Sequence, residues 1–242
     1  MLIDILIAFL LGIVLICVLF IAGYFYKMTR QNVKNGISFV YHLLPKRLPM
    51  PVMTQSPYFN RYPDKSRKWT RDYWSMCPCI DDPWMRELAK EIDEACKGKS
   101  ERYKAGYILK IAQCIYSYKS DKKIYEEIDR WQYPVCTAYL RTGDCEDGTF
   151  IGAGLSYLCG LDTVVMHTQG HALYGVNVKG FGLMNVKFDG KRYLLCETTA
   201  LLPIGMTLCS EQIQEAYYVK MPRTDFISEL SFIDQYDKYK KK

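Results

Sequence analysis

No lysine or arginine occurs before Lys27 in this chain of 242 residues. From Ile5 to Tyr26 there is no charged side chain of either sign. A secretory signal peptide has a basic n-region, a shorter apolar run and a small-residue cleavage site. Here the only charge before the stretch is Asp4, and the apolar run is too long. As a helix rising ~1.5 Å per residue, it is long enough to cross a ~30 Å hydrocarbon core. Residues 1–26 are therefore expected to form a transmembrane anchor. Lys27, Arg30 and Lys34 follow at once, with Lys46 and Arg47 beyond. Cationic flanks stay on the cytoplasmic side, so a single-pass protein with its folded part in the cytoplasm is expected. Tyr24, Phe25 and Tyr26 fall at interface level.

Other absences narrow the field. There is no phosphate-binding glycine loop and no internal repeat. The net charge of +6 is spread along the chain, which suits a membrane-proximal protein. No nucleic-acid partner is expected from charge that diffuse. Ten cysteines show no dense small-scaffold spacing, and the chain is large enough to bury a core without staples. Free thiols in a reducing compartment agree with the cytoplasmic orientation. Cys114, Cys159 and Cys196 lie among apolar residues and read as core thiols. Cys77-Pro78-Cys79 lacks the second pair that a four-ligand zinc site needs. No metal and no cofactor are expected.

What is present divides the chain in three. Pro45, Pro49, Pro51, Pro57 and Pro63 break up residues 27–80, which read as a basic linker near the membrane. A catalytic domain is expected over 81–242. Asp81-Asp82-Pro83 is a helix start, a capping acid before a proline in the first turn. Trp84, Leu88, Ile92 and Cys96 recur every four residues until Gly98. A second helix is expected from about Ser100 to Tyr118, burying Tyr107, Ile108, Ile111, Ala112 and Ile115.

The chemistry-bearing stretch is Gly143-Asp144-Cys145-Glu146-Asp147. It predicts a helix from Cys145 to about Cys159, closed by Gly160, with Asp144 as N-cap and Asp147 as its capping-box partner. Cys145 then takes the first helical position, where free N–H groups and the helix dipole favour a thiolate and an oxyanion. Asp144, Glu146 and Asp147 oppose this by charge, so an imidazolium would have to outweigh them. Gly148, Gly152 and Ser156 continue the face of Cys145 at helical spacing. Each helical glycine costs roughly 0.5–1 kcal/mol against alanine, and the expected return is close approach of a sheet.

His171 follows Gly170 and opens an alternating stretch to Val178. Val186 to Tyr193 reads as a hairpin turning at Asp189-Gly190, whose second arm ends at Glu197. Neighbouring strands would bring His171 and Glu197 together. A thiol nucleophile needs a base, and the base needs an orienting group. Cys145, His171 and Glu197 supply these in order. His167 is the competing base and Asp189 the competing acid.

Over residues 100–205 these motifs resemble the transglutaminase-like superfamily, in particular its microbial cysteine-protease type. The resemblance is carried by Ile115 to Asp121, Trp131 to Pro134, Gly143 to Asp147, Gly170-His171-Ala172 and Glu197-Thr198-Thr199. It implies an α+β fold with a papain-like core, the cysteine-bearing helix packed on an antiparallel sheet. It also implies Cys145 as nucleophile, His171 as general base and then acid, and Glu197 as orienting acid, where many members carry Asp. Trp131 and Gln132 are candidates for an oxyanion donor beyond the Cys145 N–H. No calcium loop of the animal transglutaminase kind is evident. The activity implied is thioester acyl transfer on a protein or peptide: peptidase, deamidase or transamidase. The competing reading is a catalytically silent, membrane-tethered interaction module of the same fold.

Overall fold

A computed structural model describes residues 56–62, 71–124, 130–228 and 231–232. The expected membrane span and most of the expected linker lie outside them. No helix among the described residues is long and apolar enough to cross a membrane. In chain order come β1 (Arg61–Tyr62), α1 (Arg71–Met76), α2 (Pro83–Ala95), α3 (Glu101–Cys114), β2 (Ser117–Tyr118) and α4 (Asp121–Ile124). Then follow α5 (Pro134–Leu140), β3 (Thr142–Gly143), α6 (Cys145–Leu158), β4 (Thr163–His167), β5 (Ala172–Val176) and β6 (Asn185–Phe188). The last are β7 (Lys191–Cys196), β8 (Glu215–Tyr218), α7 (Thr224–Ser228) and β9 (Ser231–Phe232).

Local signals set the helix starts. The Asp82 carboxylate accepts from the N–H groups of Trp84 at 2.9 Å and Met85 at 3.4 Å, and Pro83 has no N–H to leave orphaned. Ser100 caps α3 through the Tyr103 N–H at 3.2 Å. That helix stops at Cys114, short of Tyr118, because residues 117–118 pair in parallel with β3. Cys114 is consequently exposed, not in the core. Its position at the end of α3 lies off the buried face formed by Ala105, Ile108, Leu109, Ile111 and Ala112. Cys159 and Cys196 are buried as expected.

The large sheet runs β6-β7-β5-β4-β8, and every pair in it is antiparallel. Its hairpin turns at Asp189 and Gly190, whose φ values of 48° and 74° meet the two-positive-φ demand of a type I′ turn. One sheet face carries Val164, Met166, Leu173, Tyr193 and Leu195, covered by Met184, Val186 and Ile213. On the other lies α6, against β4 and β5 and flanked by α2, α3 and α5. Helices thus surround and cover one face of an antiparallel sheet, and the architecture is α+β.

The small residues of α6 permit that packing. A Cβ on Gly152 would sit 2.8 Å from Tyr174 Cζ on β5, and one on Gly148 would sit 2.7 Å from Tyr116 Cζ. The packed region also begins before residue 81. Tyr58, Met76, Cys77, Cys79 and Ile80 are buried, and the Tyr58 hydroxyl donates to Asp81 at 2.7 Å.

Candidate functional site

The site is assembled where β3 enters α6. Asp144 caps the helix, and its N–H donates to Asp147 Oδ2 at 3.1 Å, the capping-box return bond. Asp147 Oδ1 also accepts from the Gln132 N–H at 2.7 Å. The Gln132 side-chain amide donates to Asp147 Oδ2 at 2.9 Å and to the Thr142 carbonyl at 3.1 Å. This buried bracket fixes Cys145 as the first residue of α6. It also commits the Gln132 amide to structure, so Gln132 does not serve as the second oxyanion donor. Trp131 is likewise packed, its ring 4.4 Å from that of Trp74 and 5.4 Å from that of Phe150.

Cys145 is half-buried, while Cys77, Cys79, Cys136, Cys159 and Cys196 are buried. Its Sγ lies 3.2 Å from Glu146 Oε2. Burial pushes both the Glu146 and Asp147 carboxyls well above the usual range, with Asp144 adding to each.

His171 precedes β5, held by a turn in which the Thr168 N–H donates to the His171 carbonyl at 2.8 Å. Its Nε2 is 2.9 Å from Glu197 Oε2 at the end of β7, the strand paired with β5. With Nε2 given to the acid, Nδ1 is the nitrogen left for Cys145. Burial pulls the imidazole pKa down, but hydrogen bonding to Cys145 and Glu197 outweighs it and lifts the value to about 10. Glu197 is fully buried. Burial pushes its pKa up, but bonds from His171, Thr199 and Thr207 outweigh this and bring it to about 2. Oε1 accepts from the Thr199 hydroxyl at 2.7 Å and the Thr199 N–H at 3.0 Å. Oε2 accepts from the Thr207 hydroxyl at 2.7 Å as well as from His171.

The competitors are engaged elsewhere. His167 Nε2 lies 3.2 Å from Glu215 Oε2, and its ring stacks on Trp74 at 5.0 Å. Asp189 accepts from the Tyr218 hydroxyl at 3.1 Å in the hairpin turn. Reading the sequence missed two supports of the acid. Gln113 Nε2 donates to the Glu197 carbonyl at 2.7 Å and to the Leu202 carbonyl at 2.9 Å. Thr207 comes from a loop that carries no motif.

Two surroundings bear on ligands. The carboxylates of Asp121, Asp144 and Asp147 lie within 4.8 Å of one another, a donor type suited to a hard cation. Linear spacing hid this trio because Asp121 belongs to α4. Within the trio, Asp121 accepts from the Arg130 N–H and Asp147 from the Gln132 N–H. Beside the acid is an open groove of about 490 Å³, lined by Leu173, Leu183, Met184, Leu195, Thr207 and Cys209 among others.

No family model matches this chain. No curated protein matches it either. Among solved structures it is similar to LapG of Legionella pneumophila, in EGTA-treated form, at 12% identity. That likeness covers 63% of this chain and 89% of the LapG chain, with a TM-score of 0.40.

Proposed function

We propose that this chain is a transglutaminase-like cysteine enzyme that acts on a protein or peptide by thioester acyl transfer. One observation carries the reading: a half-exposed cysteine opens a buried helix, and a histidine whose Nε2 lies 2.9 Å from a buried glutamate has its pKa raised by that cysteine and that glutamate together. The proton of Cys145 passes to His171, and the sulfur attacks a substrate carbonyl. A carbon–sulfur bond forms, and the oxyanion meets the N–H groups at the start of α6. His171 returns the proton to the departing amine as the carbon–nitrogen bond breaks. Water or a second amine then attacks the thioester, releasing Cys145. Glu197 stays ionised and holds the imidazole in one orientation. An open groove with the exposed Leu183 in its lining suits an extended polypeptide better than a small metabolite.

The test is thiol labelling. Cys145 is expected to react with iodoacetamide at neutral pH on the order of tenfold faster than Cys114 or Cys209, the other accessible described thiols. Peptide mass spectrometry reads this directly. Faster labelling of Cys114 or Cys209, with Cys145 inert, would leave the silent interaction module as the better account.

The same reading places residues 1–26 in a membrane as a single span, with the enzyme on the cytoplasmic face. The support is the uncharged run and the cations after it, Lys27, Arg30 and Lys34. Protease added to intact cells is expected to spare the C-terminal tail; digestion from outside would reverse the topology.

A further inference from the structure

We infer that Thr207 is a positioning residue for the Cys145–His171–Glu197 site, its hydroxyl fixing the carboxylate oxygen that holds the histidine. The inference rests on the cysteine acyl-transfer reading for its consequence, but its geometry stands by itself.

Glu197 Oε1 is secured locally by Thr199, two residues along the chain. Oε2, the oxygen facing His171, has no such local partner among its hydrogen bonds. Its second donor is Thr207, ten residues away in sequence and 2.7 Å away in space. The direction of that bond follows from counting protons. A threonine hydroxyl has one proton and two lone pairs. Thr207 Oγ1 accepts from the Cys209 N–H at 2.9 Å, so a lone pair is occupied and the proton turns to the carboxylate. A hydrogen bond to an ionised, buried acceptor is among the stronger kinds.

The backbone is arranged to deliver this one hydroxyl. The Gly205 N–H donates to the Leu195 carbonyl at 2.8 Å, and the Gly205 carbonyl accepts from the Met184 N–H at 2.8 Å. Met206 then forms a parallel bridge with Cys196, the residue before Glu197. Gly205 has a φ of +81°, and a Cβ there would meet Gly182 C at 3.2 Å, so only glycine fits the clamp. The loop is thus tied to the end of β7 on one side and to Met184, just before β6, on the other, and Thr207 is the next residue out. Without its hydroxyl, Oε2 would keep His171 as its one donor among these bonds, and the carboxylate would be held against rotation from the Thr199 side alone.

The experiment compares Thr207→Val, which keeps the shape and removes the hydroxyl, with Thr207→Ser, which keeps the hydroxyl. Both are made in the full chain. The first readout is the NMR resonance of the His171 Nε2–H, assigned among three histidines by its loss in His171→Ala. It is expected to persist in wild type and Thr207→Ser, and to broaden into solvent exchange in Thr207→Val. The second is the pH profile of Cys145 alkylation by iodoacetamide. Thr207→Val is expected to slow it about tenfold at pH 7 and to move its acid limb up by about one pH unit, because the carboxylate has lost a charge-assisted donor. Thr207→Ser is expected to restore both. An unchanged resonance and profile in Thr207→Val, or failure of Thr207→Ser to rescue, would overturn the inference. If Cys145 is unreactive in wild type, the acyl-transfer reading fails, yet the imidazole resonance still decides the role of Thr207. Thr207→Ala serves the same comparison if Thr207→Val does not fold.

Discussion

His171→Ala is expected to slow Cys145 alkylation and substrate turnover on the order of 10³-fold or more, and Cys145→Ala to abolish covalent labelling at that residue. With a pKa near 10, His171 carries a proton at neutral pH and can pair with a thiolate. Removing it takes away that counter-charge. Glu197→Gln is expected to cost less, on the order of 10²-fold, with the fold retained, since it disturbs tautomer and charge but keeps nucleophile and base. Full activity in Glu197→Gln together with loss in an Asp189 variant would reassign the third member.

The same pair links stability to pH. Glu197 is lowered from 4.5 to about 2, so its contribution is present above pH 4.5 and fades as the pH falls toward 2. His171 is raised from 6.5 to about 10, so its contribution is whole below pH 6.5 and fades as the pH rises toward 10. The melting-temperature gap between wild type and His171→Ala is therefore expected to be widest between pH 4.5 and 6.5. A gap that widened steadily above pH 7 would contradict the pairing.

Gly152→Ala is expected to lower stability by about 1–3 kcal/mol, although alanine is the better helix former. The propensity gain is at most about 1 kcal/mol. Against it stands the ring of Tyr174, with Cζ 2.8 Å from the new methyl. That ring is fully buried and cannot swing into solvent. Overpacking in such a place costs about 1–3 kcal/mol and often more than propensity returns. At about 2–4 °C per kcal/mol for a domain of this size, thermal unfolding followed by circular dichroism would register the loss. A higher melting temperature in Gly152→Ala would mean that the helix and sheet have room to spare.

How far the sequence could be read tracks how local each feature is. The starts of α2 and α6, the Asp189-Gly190 turn and the glycine face of α6 are set by residues within a few positions of one another. They were legible for that reason. The meeting of His171 with Glu197 was legible too, because one hairpin and one strand pairing suffice to create it. Tyr58 was not, since its burial depends on Tyr133 and Asp81 across the fold. Cys114 misled because apolar neighbours in sequence do not say which side of a helix a residue occupies. The Asp121–Asp144–Asp147 trio and Thr207 had no local signature, as each depends on loops brought together by the rest of the chain.

The burial of α6 has a further meaning for how the molecule opens. Native proteins exchange amide hydrogens by local opening, easily at loops and only with global unfolding in the core. Cys145 opens a segment of the second kind, whereas the Thr207 hydroxyl beside Glu197 hangs from a surface loop of the first. Under mild stress the loop around Thr207 should exchange before the helix does. Histidine alignment would then fail while the cysteine still stands in place, so loss of activity would precede loss of the fold and reverse on cooling.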